Sequence, residues 1–313
     1  MAVYTSVPAE TLTAFLRGYD VGRLIAVKGI AEGVENSNYL IDTDRGRYFL
    51  TLYEKRVDAG DLPYFLALME HLAAAGMPVP RPVADSSGEA LQQLCGRPAC
   101  LIEFLPGFSV TQPSGALCRA AGSALGNMHA AAADFGMTRK NALGHEGRAA
   151  LAASCIDRLG EIDRDLPALV RDELAYQQDA WPAGLPQGTI HADLFPDNVL
   201  VLDEQITGLI DFYFACTDVR AYDLAVMHGA WCFSADGHSF DAGLGEALEA
   251  GYRAAYRLSD AELAAMPVLR RAAALRFLLT RAYDLLHTPA GALVRPHDPL
   301  AYARRLLSYR EAK

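Results

Sequence analysis

The stretch HADLFPDNVL, residues 191–200, places several polar side chains that could do chemistry inside an otherwise apolar sequence. Among them are His191, Asp193 and Asn198, and a second apolar run leads from Asn198 to another isolated acid, Asp211. A turn rich in Asp and Asn would explain part of this pattern, but not the acid that follows a strand-like run. These side chains are therefore the first candidates for a catalytic or binding site.

The sequence NVLVLDEQITGLIDF, residues 198–212, predicts a tight β-hairpin with its turn at 204–205. Residues at equal distance from such a turn become cross-strand neighbours, and Asn198 and Asp211 are at equal distance from it. We therefore expect these two side chains to lie side by side at the open end of the hairpin, close to the loop that carries Asp193.

Amide and carboxylate oxygens of this kind suit Mg²⁺, and another carboxylate nearby can orient a hydroxyl group and accept its proton. Together they match the arrangement that protein kinases use for phosphoryl transfer. A polar hairpin mouth without catalytic function is the alternative, which the spacing and the downstream Asp211 make less favourable. We predict that His191 holds the loop through backbone hydrogen bonds, and that Asp223 is either a brace for the loop or a helix cap.

Periodicity predicts a mostly antiparallel sheet in the first hundred residues, with one inserted helix. A short helix over 9–19 precedes three strands within 23–54, and a helix over 61–76 precedes two further strands over 90–105. From about residue 107 the pattern favours helices, except for short strands within 187–214. The predicted helices span 115–135, 148–180, 220–235, 241–257 and 260–288.

Composition excludes several classes of function. The chain has 313 residues and a formal charge of −10, which disfavours a general nucleic-acid-binding surface. Its six cysteines form no C-x-x-C pair, so neither a zinc site nor a disulfide framework is expected. No secretory signal and no apolar run of about 18 residues is visible. We expect a cytoplasmic protein without a nucleic-acid or membrane partner.

The sequence resembles the aminoglycoside-phosphotransferase-like branch of the protein-kinase-like fold, whose catalytic loop reads H-x-D-x-x-x-x-N. Within that branch, residues 32–54, 208–233 and 275–286 resemble the ATP-dependent, kinase-like homoserine kinases of bacteria. The resemblance covers the chain from residue 4 to about residue 310. It implies phosphorylation of the hydroxyl group of L-homoserine, with ATP and Mg²⁺.

The resemblance also implies an α+β, two-lobed protein-kinase-like fold. Residues 1–103 would form the nucleotide-binding lobe with its antiparallel sheet, and residues 104–313 the mainly helical lobe with the catalytic loop and the substrate site. Asp193 matches the catalytic base, and Asn198 and Asp211 match the metal ligands. Candidates for nucleotide binding are Gly33, Asn36 and Ser37 in the loop after the first strand, and the backbone of Glu103 and Leu105 at the hinge.

One position departs from the kinase pattern. Protein kinases carry a Lys on the third strand that contacts the nucleotide phosphates, and the alignment places Thr51 there. The homoserine-kinase pattern resembles this form, so we interpret Thr51 as a family trait. Either Mg²⁺ and loop amides compensate, or another cation does, with Lys28, Lys55 and Arg56 as candidates. Glu70 matches the acidic partner on the inserted helix, and a solvated surface Glu is the alternative.

A homoserine site should offer a cation for the carboxylate and an acid for the ammonium group. Arg281 and Asp284 are neighbours on one helix face and could bind the two ends, or they could form a surface ion pair. Tyr213 could line the pocket, and Trp231 is better explained as buried core. Arg139 lies on a loop that could approach the substrate.

Two alternatives stay open on the sequence alone. The acceptor could be choline, an aminoglycoside or a related compound; these are cationic and would have little need of Arg281. The chain could instead be a nucleotide-binding pseudokinase, as Thr51 suggests, although Asp193, Asn198 and Asp211 are all present.

Overall fold

The computed structural model describes residues 4–30, 36–54, 58–289 and 296–312, and the chain divides into two compact units. The first unit comprises Met1–Phe108, Leu200–Leu202 and Thr207–Tyr213. The second comprises Ser109–Val199, Asp203–Ile206 and Phe214–Lys313.

The first unit is built around a six-stranded antiparallel sheet. Its helices and strands are α1 (Ala9–Leu16), α2 (Leu62–Ala74), β1 (Leu24–Ile30), β2 (Ser37–Thr43), β3 (Arg47–Leu52), β4 (Pro82–Val83), β5 (Leu91–Leu94) and β6 (Arg97–Glu103), followed by the short β7 (Phe108–Ser109). The strand order is β1-β2-β3-β6-β4, and β5 also pairs with β6. The predicted strands and both helices are present, with ends shifted by a few residues.

One face of this sheet is covered and the other stays partly open. Alternate residues of β2 are buried, and Ile41 packs with Leu50 of β3 and Leu101 of β6 in a core that includes Leu12 and Leu16 of α1. Successive strand residues point to opposite faces, so the intervening positions form the second face of the sheet. That second face carries the position of Thr51.

The second unit is mainly helical. Its helices are α3 (Gly115–Ala131), α4 (His145–Cys155), α5 (Leu166–Ala180), α6 (Arg220–Trp231), α7 (Ala242–Ala255), α8 (Asp260–His287) and α9 (Leu300–Glu311). The remaining strands of the chain are β8 (Gln187–Ile190), β9 (Val199–Leu202), β10 (Gln205–Leu209) and β11 (Cys216–Val219). β8 and β11 form an antiparallel pair, and β9 lies between β10 and β7 in a small sheet.

Three sequence predictions for this half of the chain were wrong. The helix predicted over 148–180 is two helices. A 3₁₀ turn at Leu159–Glu161 separates them, and Pro167 lies in the first turn of the second helix, where a proline is favourable. Residues Phe212–Phe214 form a single 3₁₀ turn where a strand was expected. Helix α9 had not been predicted at all.

Helices α3 and α7 approach each other unusually closely because glycines line their contact. A Cβ atom at Gly122 would lie 2.0 Å from the carbonyl oxygen of Leu248, and one at Gly251 would lie 1.9 Å from that of Arg119. This close packing brings His129 of α3 within hydrogen-bonding distance of Tyr252 of α7. Both side chains belong to the network that supports residues 191–198.

Candidate active site

The loop of residues 191–198 follows β8 and begins with two buried residues, His191 and Ala192. Ala192 has a left-handed backbone conformation with φ of 64°, which is uncommon for a residue that carries a side chain. Such a conformation costs roughly 1–2 kcal/mol and persists only where surrounding contacts impose it. Helices α6 and α8 supply those contacts.

Asp223 of α6 accepts hydrogen bonds from both backbone N–H groups at the start of the loop. Its Oδ2 atom lies 2.7 Å from the nitrogen of His191, and its Oδ1 atom lies 2.8 Å from the nitrogen of Ala192. His129 Nε2 lies 3.0 Å from Oδ2, and His129 Nδ1 lies 2.9 Å from the hydroxyl oxygen of Tyr252. One buried carboxylate thus fixes the entry to the loop and is itself held by two further helices.

The environment of Asp223 favours its ionised form. Burial raises its pKa, but the hydrogen bond and charge interaction with His129, together with His191, outweigh burial and hold the pKa below its usual value. Asp223 lies within the first turn of α6 and does not cap it, since Val219 occupies the N-cap position. Of the two roles predicted for Asp223, the structure supports the brace.

Two further side chains hold the loop from within unit two. His191 is fully buried, and its Nδ1 accepts a hydrogen bond from the backbone N–H of Asp193 at 3.3 Å, so its predicted structural role is confirmed. Trp231 is buried, as expected for a core residue, and its Nε1 donates to the carbonyl oxygen of Leu194 at 2.9 Å. The loop is therefore anchored at three consecutive backbone N–H groups and at the carbonyl of the next residue.

Asp193 and Asn198 lie together within this loop. Asn198 Nδ2 donates to the carbonyl oxygen of Asp193 at 2.8 Å and lies 3.5 Å from its carboxylate Oδ2. Because Nδ2 is the donor in these contacts, Oδ1 of Asn198 is the atom that could serve as an oxygen ligand for a cation. The side chain of Asp193 is 18% exposed, so a small hydroxyl compound can reach it.

Arg276 of α8 was not predicted as a site residue, yet it contacts this loop directly. Its Nη1 donates to the carbonyl oxygen of Ala192, and its Nη2 lies 3.5 Å from Oδ1 of Asp193. The available signal was a single charge in the apolar run LRFLL, residues 275–279. His129 gave no comparable signal, because its role depends on how α3 packs.

The hairpin that leads to Asp211 has its turn one position earlier than predicted. Asp203 and Glu204 both have positive φ, 48° and 62°, and form the two-residue turn between β9 and β10. The count that made Asn198 and Asp211 cross-strand partners used a turn at 204–205 and was therefore wrong. Asp211 itself is exposed and left-handed, with φ of 66°, a conformation that is concentrated at ligand sites.

The first unit contains the candidates for nucleotide binding. Asn36 and Ser37 are buried, and their side chains bond to the chain itself: Asn36 Oδ1 accepts from the N–H of Glu54, and Ser37 Oγ donates to the carboxylate of Glu54 and accepts from the N–H of Tyr4. Gly33 lies outside the described residues. A phosphate contact at Asn36 or Ser37 would therefore have to use the backbone.

At the predicted hinge, Glu103 is exposed and its N–H donates to the carbonyl oxygen of Arg81 at 2.9 Å. Its carbonyl is therefore the backbone group that could accept from an adenine. Leu105 is half-buried in the same segment. Glu70, the predicted acidic partner, pairs with Arg81 at 3.3 Å, and both side chains are about half exposed, so this ion pair contributes little to stability.

Strand register places Lys28 on the same sheet face as Thr51. Thr51 is buried, donates to Asn38 Oδ1 at 2.9 Å, and pairs with Asn38 across β2 and β3. Lys28 pairs with Leu40, two positions further along β2, so it shares this face and is exposed. The other two candidate cations, Lys55 and Arg56, lie outside the described residues.

The predicted substrate residues fall in both units. In the second unit, the guanidinium of Arg281 lies 4.6 Å from the ring centre of Tyr302, and its Nη1 donates to the carbonyl oxygen of Asp298 at 3.3 Å. Burial lowers the pKa of Arg281, and the nearby Tyr302, Asp298 and Asp193 act in the opposite direction. Asp284 is half-buried one helical turn later.

Tyr213 belongs to the first unit, where its hydroxyl lies 3.2 Å from that of Tyr53 and its ring packs edge-on against Phe65. Arg139 donates through Nη1 to the carbonyl oxygen of Ala215 at 3.2 Å, which ties its side chain to the backbone before β11. These contacts are all within the chain and do not by themselves support a substrate contact for Tyr213 or Arg139.

The sequence matches the profile of the phosphotransferase enzyme family over residues 26–259. The chain belongs to the phosphotransferase enzyme family. Relatives named homoserine kinase extend the match over nearly the full length of both chains. The one from Xanthobacter autotrophicus is 54% identical over 98% of this chain and 95% of its own, and the one from Methylobacterium sp. is 53% identical over 99% and 96%.

Solved structures confirm the kinase-like α+β fold. An amicoumacin kinase in complex with AMP-PNP, Ca²⁺ and its ligand superposes with a TM-score of 0.71 at 17% identity, covering 97% of this chain and 92% of its own. A spectinomycin phosphotransferase in complex with ADP and spectinomycin gives 0.66 at 15%, covering 98% and 95%. Among the described residues, no helix is both long and apolar enough to cross a membrane.

Proposed function

We infer that this chain transfers the γ-phosphoryl group of ATP to the hydroxyl group of L-homoserine. The observation that carries this inference is the identity of 51–54% with homoserine kinases over nearly the full length of the chain. The braced loop around Asp193 agrees with it, because phosphoryl transfer depends mainly on positioning and electrostatic stabilisation. A cytoplasmic location remains a prediction.

Asp193 is the proposed catalytic base. Its carboxylate would accept a hydrogen bond from the acceptor hydroxyl group, orient its oxygen towards the phosphorus atom, and take the proton as the new bond forms. Three features support this role: the side chain is partly exposed, Asn198 binds its backbone carbonyl, and Arg276 lies beside its carboxylate.

Asn198 and Asp211 are the proposed magnesium ligands. Their hard oxygen donors fit Mg²⁺, and the exposed, left-handed Asp211 has the backbone strain expected of a residue kept for a ligand. A bound Mg²⁺ ion would neutralise phosphate charge. The amide of Asn198 is oriented by its bond to Asp193, which leaves its Oδ1 atom for this purpose.

The nucleotide candidates stay those predicted from the sequence: Gly33, Asn36 and Ser37 through their backbone, and Glu103 and Leu105 at the hinge. For the cation missing at Thr51, the register supports Lys28. It is two strands away from Thr51 and two positions along, roughly 12 Å by strand spacing, on the same face of the sheet. A long side chain there can meet an extended polyphosphate.

The acceptor residues proposed are Arg281 for the homoserine carboxylate and Asp284 for its ammonium group, with Tyr213 as a pocket wall. The surroundings of Arg281 favour an acceptor that carries an anionic group. Tyr302 and the carbonyl of Asp298 hold its side chain, and no carboxylate of the described residues lies at salt-bridge distance from it, so its charge is left for the substrate. A cationic acceptor such as choline would gain nothing from it.

The decisive experiment measures ADP release from ATP and Mg²⁺ with L-homoserine, choline and kanamycin as acceptors. We expect turnover on homoserine alone, and a fall in kcat of roughly 10²–10⁴-fold in Asp193→Asn. Asp197→Asn, in the same loop but exposed, is the matched control and should stay within about threefold of wild type. Turnover on another acceptor alone would refute the substrate assignment, and ATP binding without any turnover would favour a pseudokinase.

The carboxylate contact has its own test in Arg281→Ala. Loss of a charge-assisted contact of about 2–3 kcal/mol predicts a KM for homoserine higher by roughly 30–150-fold, with the KM for ATP unchanged. An unchanged KM for homoserine would remove Arg281 from the acceptor site.

A further inference from the structure

Arg276 is a buried cation that contacts the catalytic loop at two atoms. The side chain is only 2% exposed, so substrate cannot reach it as it can reach Asp193. Nη1 donates to the carbonyl oxygen of Ala192, and Nη2 lies 3.5 Å from Oδ1 of Asp193. The guanidinium carbon also lies 4.3 Å from the ring centre of Phe277 and 5.1 Å from that of Phe214.

These contacts define the geometry of one residue from both sides. The N–H of Ala192 is held by Asp223, and its carbonyl is held by Arg276. With both peptide groups fixed, Ala192 is kept in its left-handed conformation, and the direction in which the chain enters Asp193 is set. The second guanidinium nitrogen then restricts the carboxylate of Asp193 itself.

The environment of Arg276 is not one that stability alone would produce. Its Nε atom is buried and has no hydrogen-bond partner among the described residues. Burying a charge with an unsatisfied donor is unfavourable. By contrast, Arg305 is also buried, on α9, and uses Nε, Nη1 and Nη2 to bind backbone carbonyls.

We propose that Arg276 is a positioning residue for phosphoryl transfer, which fixes the left-handed peptide before Asp193 and the orientation of the Asp193 carboxylate. The proposal rests on the proposed role of Asp193 as the base. Because Arg276 acts through Asp193, its removal should lower kcat and leave substrate binding nearly unchanged.

The test is a double-mutant cycle with Arg276→Met and Asp193→Asn, assayed as ADP release with homoserine. We expect Arg276→Met alone to lower kcat by roughly 30–300-fold, with both KM values within about threefold, since misplacement of a reacting group by 1 Å can cost about 10²-fold. In the Asp193→Asn background, the same substitution should change kcat by less than about threefold. A similar loss in both backgrounds, or full activity in Arg276→Met, would overturn the proposal.

Arg305→Met is the matched control, because it removes a buried guanidinium that binds carbonyls elsewhere. Any loss it causes should be equal in the two backgrounds. Arg276→Lys keeps the charge and loses the forked geometry, so it should recover part of the kcat lost in Arg276→Met.

If Arg276→Met does not fold, or if Asp193→Asn shows no measurable turnover, the kinetics of Arg276→Lys test the proposal instead. A lowered kcat at unchanged KM supports a positioning role for Arg276. A raised KM with unchanged kcat refutes that role. Full activity of Asp193→Asn would instead refute the proposed base, whatever Arg276 does.

Discussion

Replacing Asp223 by Asn should test the support of the catalytic loop without changing the size of the side chain. The carboxylate accepts from the N–H groups of His191 and Ala192, one on each oxygen, and also lies 3.0 Å from His129 Nε2. An Asn has only one acceptor oxygen, so at least one backbone N–H must face its amide group. That buried donor then loses its partner.

The cost can be worked out from these contacts. An unsatisfied buried donor costs about 1–3 kcal/mol, and the remaining contacts lose the extra strength that an ionised acceptor gives, about 1 kcal/mol each. We therefore expect Asp223→Asn to lower the free energy of unfolding by roughly 3–5 kcal/mol, which corresponds to a fall in Tm of about 10 °C. Loss of loop geometry should also lower kcat by roughly 10–100-fold.

The assay is differential scanning calorimetry beside steady-state kinetics at pH 7.5, with Asp241→Asn as the matched control. Asp241 caps α7 and accepts one N–H, that of Leu244, at 3.1 Å, a role that Asn fills equally well. It should change the free energy of unfolding by less than about 0.5 kcal/mol. Equal stability of Asp223→Asn and wild type, or an equal loss in both variants, would refute the reasoning.

The pH dependence gives a second check on Asp223. Because its folded-state pKa lies below the usual Asp value of about 3.9, its stabilisation is fully present above that pH and is lost as pH falls through the lower, folded-state value. The difference between wild type and Asp223→Asn should therefore be constant from about pH 5 upward and shrink only below about pH 4. A difference that already shrinks at pH 6 would contradict an ionised brace.

Three further predictions address stability and nucleotide binding. Burial and the charge of Arg270 lower the pKa of His228 to about 3. Below about pH 6.5 the unfolded chain therefore takes up a proton that the folded chain does not, and the free energy of unfolding falls by up to about 5 kcal/mol towards pH 3. Urea unfolding at several pH values should show a smaller loss in His228→Gln, and an identical pH profile in that variant would contradict the prediction. Gly122→Ala should lower the free energy of unfolding by about 2–4 kcal/mol, because its Cβ would clash with a backbone carbonyl 2.0 Å away. The control Gly115→Ala, with open space around its Cβ, should be neutral or stabilising when measured by calorimetry. Equal stabilities of the two variants would show that α3 and α7 can separate at no cost. Lys28→Ala should raise the KM for ATP roughly tenfold with kcat little changed. The control Lys140→Ala removes an exposed Lys that is paired with a Glu, and it should leave the KM for ATP unchanged. Equal effects in the two variants would exclude a specific role for Lys28.

Local patterns were sufficient to predict the elements that carry the candidate site. Strand-like runs separated by turn-rich segments located β1–β3 and β6, and the polar groups after an apolar run located the loop of Asp193 and Asn198. These features depend on residues that are close together in the sequence, so the local pattern is sufficient to predict them. The role of His191 followed in the same way, because its partner Asp193 is two residues away.

The features that were missed depend on packing between distant segments. The turn of the hairpin shifted because Asp203 and Glu204 adopt positive φ without a glycine, which residue type alone does not signal. The support of the loop combines Asp223 and Arg276, which come from helices 30 to 85 residues downstream. No spacing rule connects such positions, so Arg276 became visible only in the folded chain, and a brace at Asp223 could be predicted only as one of two roles.

Opposite charges on two helices converge on one residue, Ala192, and this arrangement has an energetic consequence. Burying Asp223 and Arg276 each costs several kcal/mol of desolvation, and only Asp223 recovers it through a full set of hydrogen bonds. Replacing Arg276 by an apolar side chain of similar length should therefore cost little stability, or even increase it, while kcat falls. Asp223→Asn should lose both stability and activity, so the two supports of the same loop should separate when Tm is plotted against kcat. A loss of stability in the Arg276 variant as large as that in Asp223→Asn would mean that the contacts of Arg276 more than offset its desolvation, and would refute this separation.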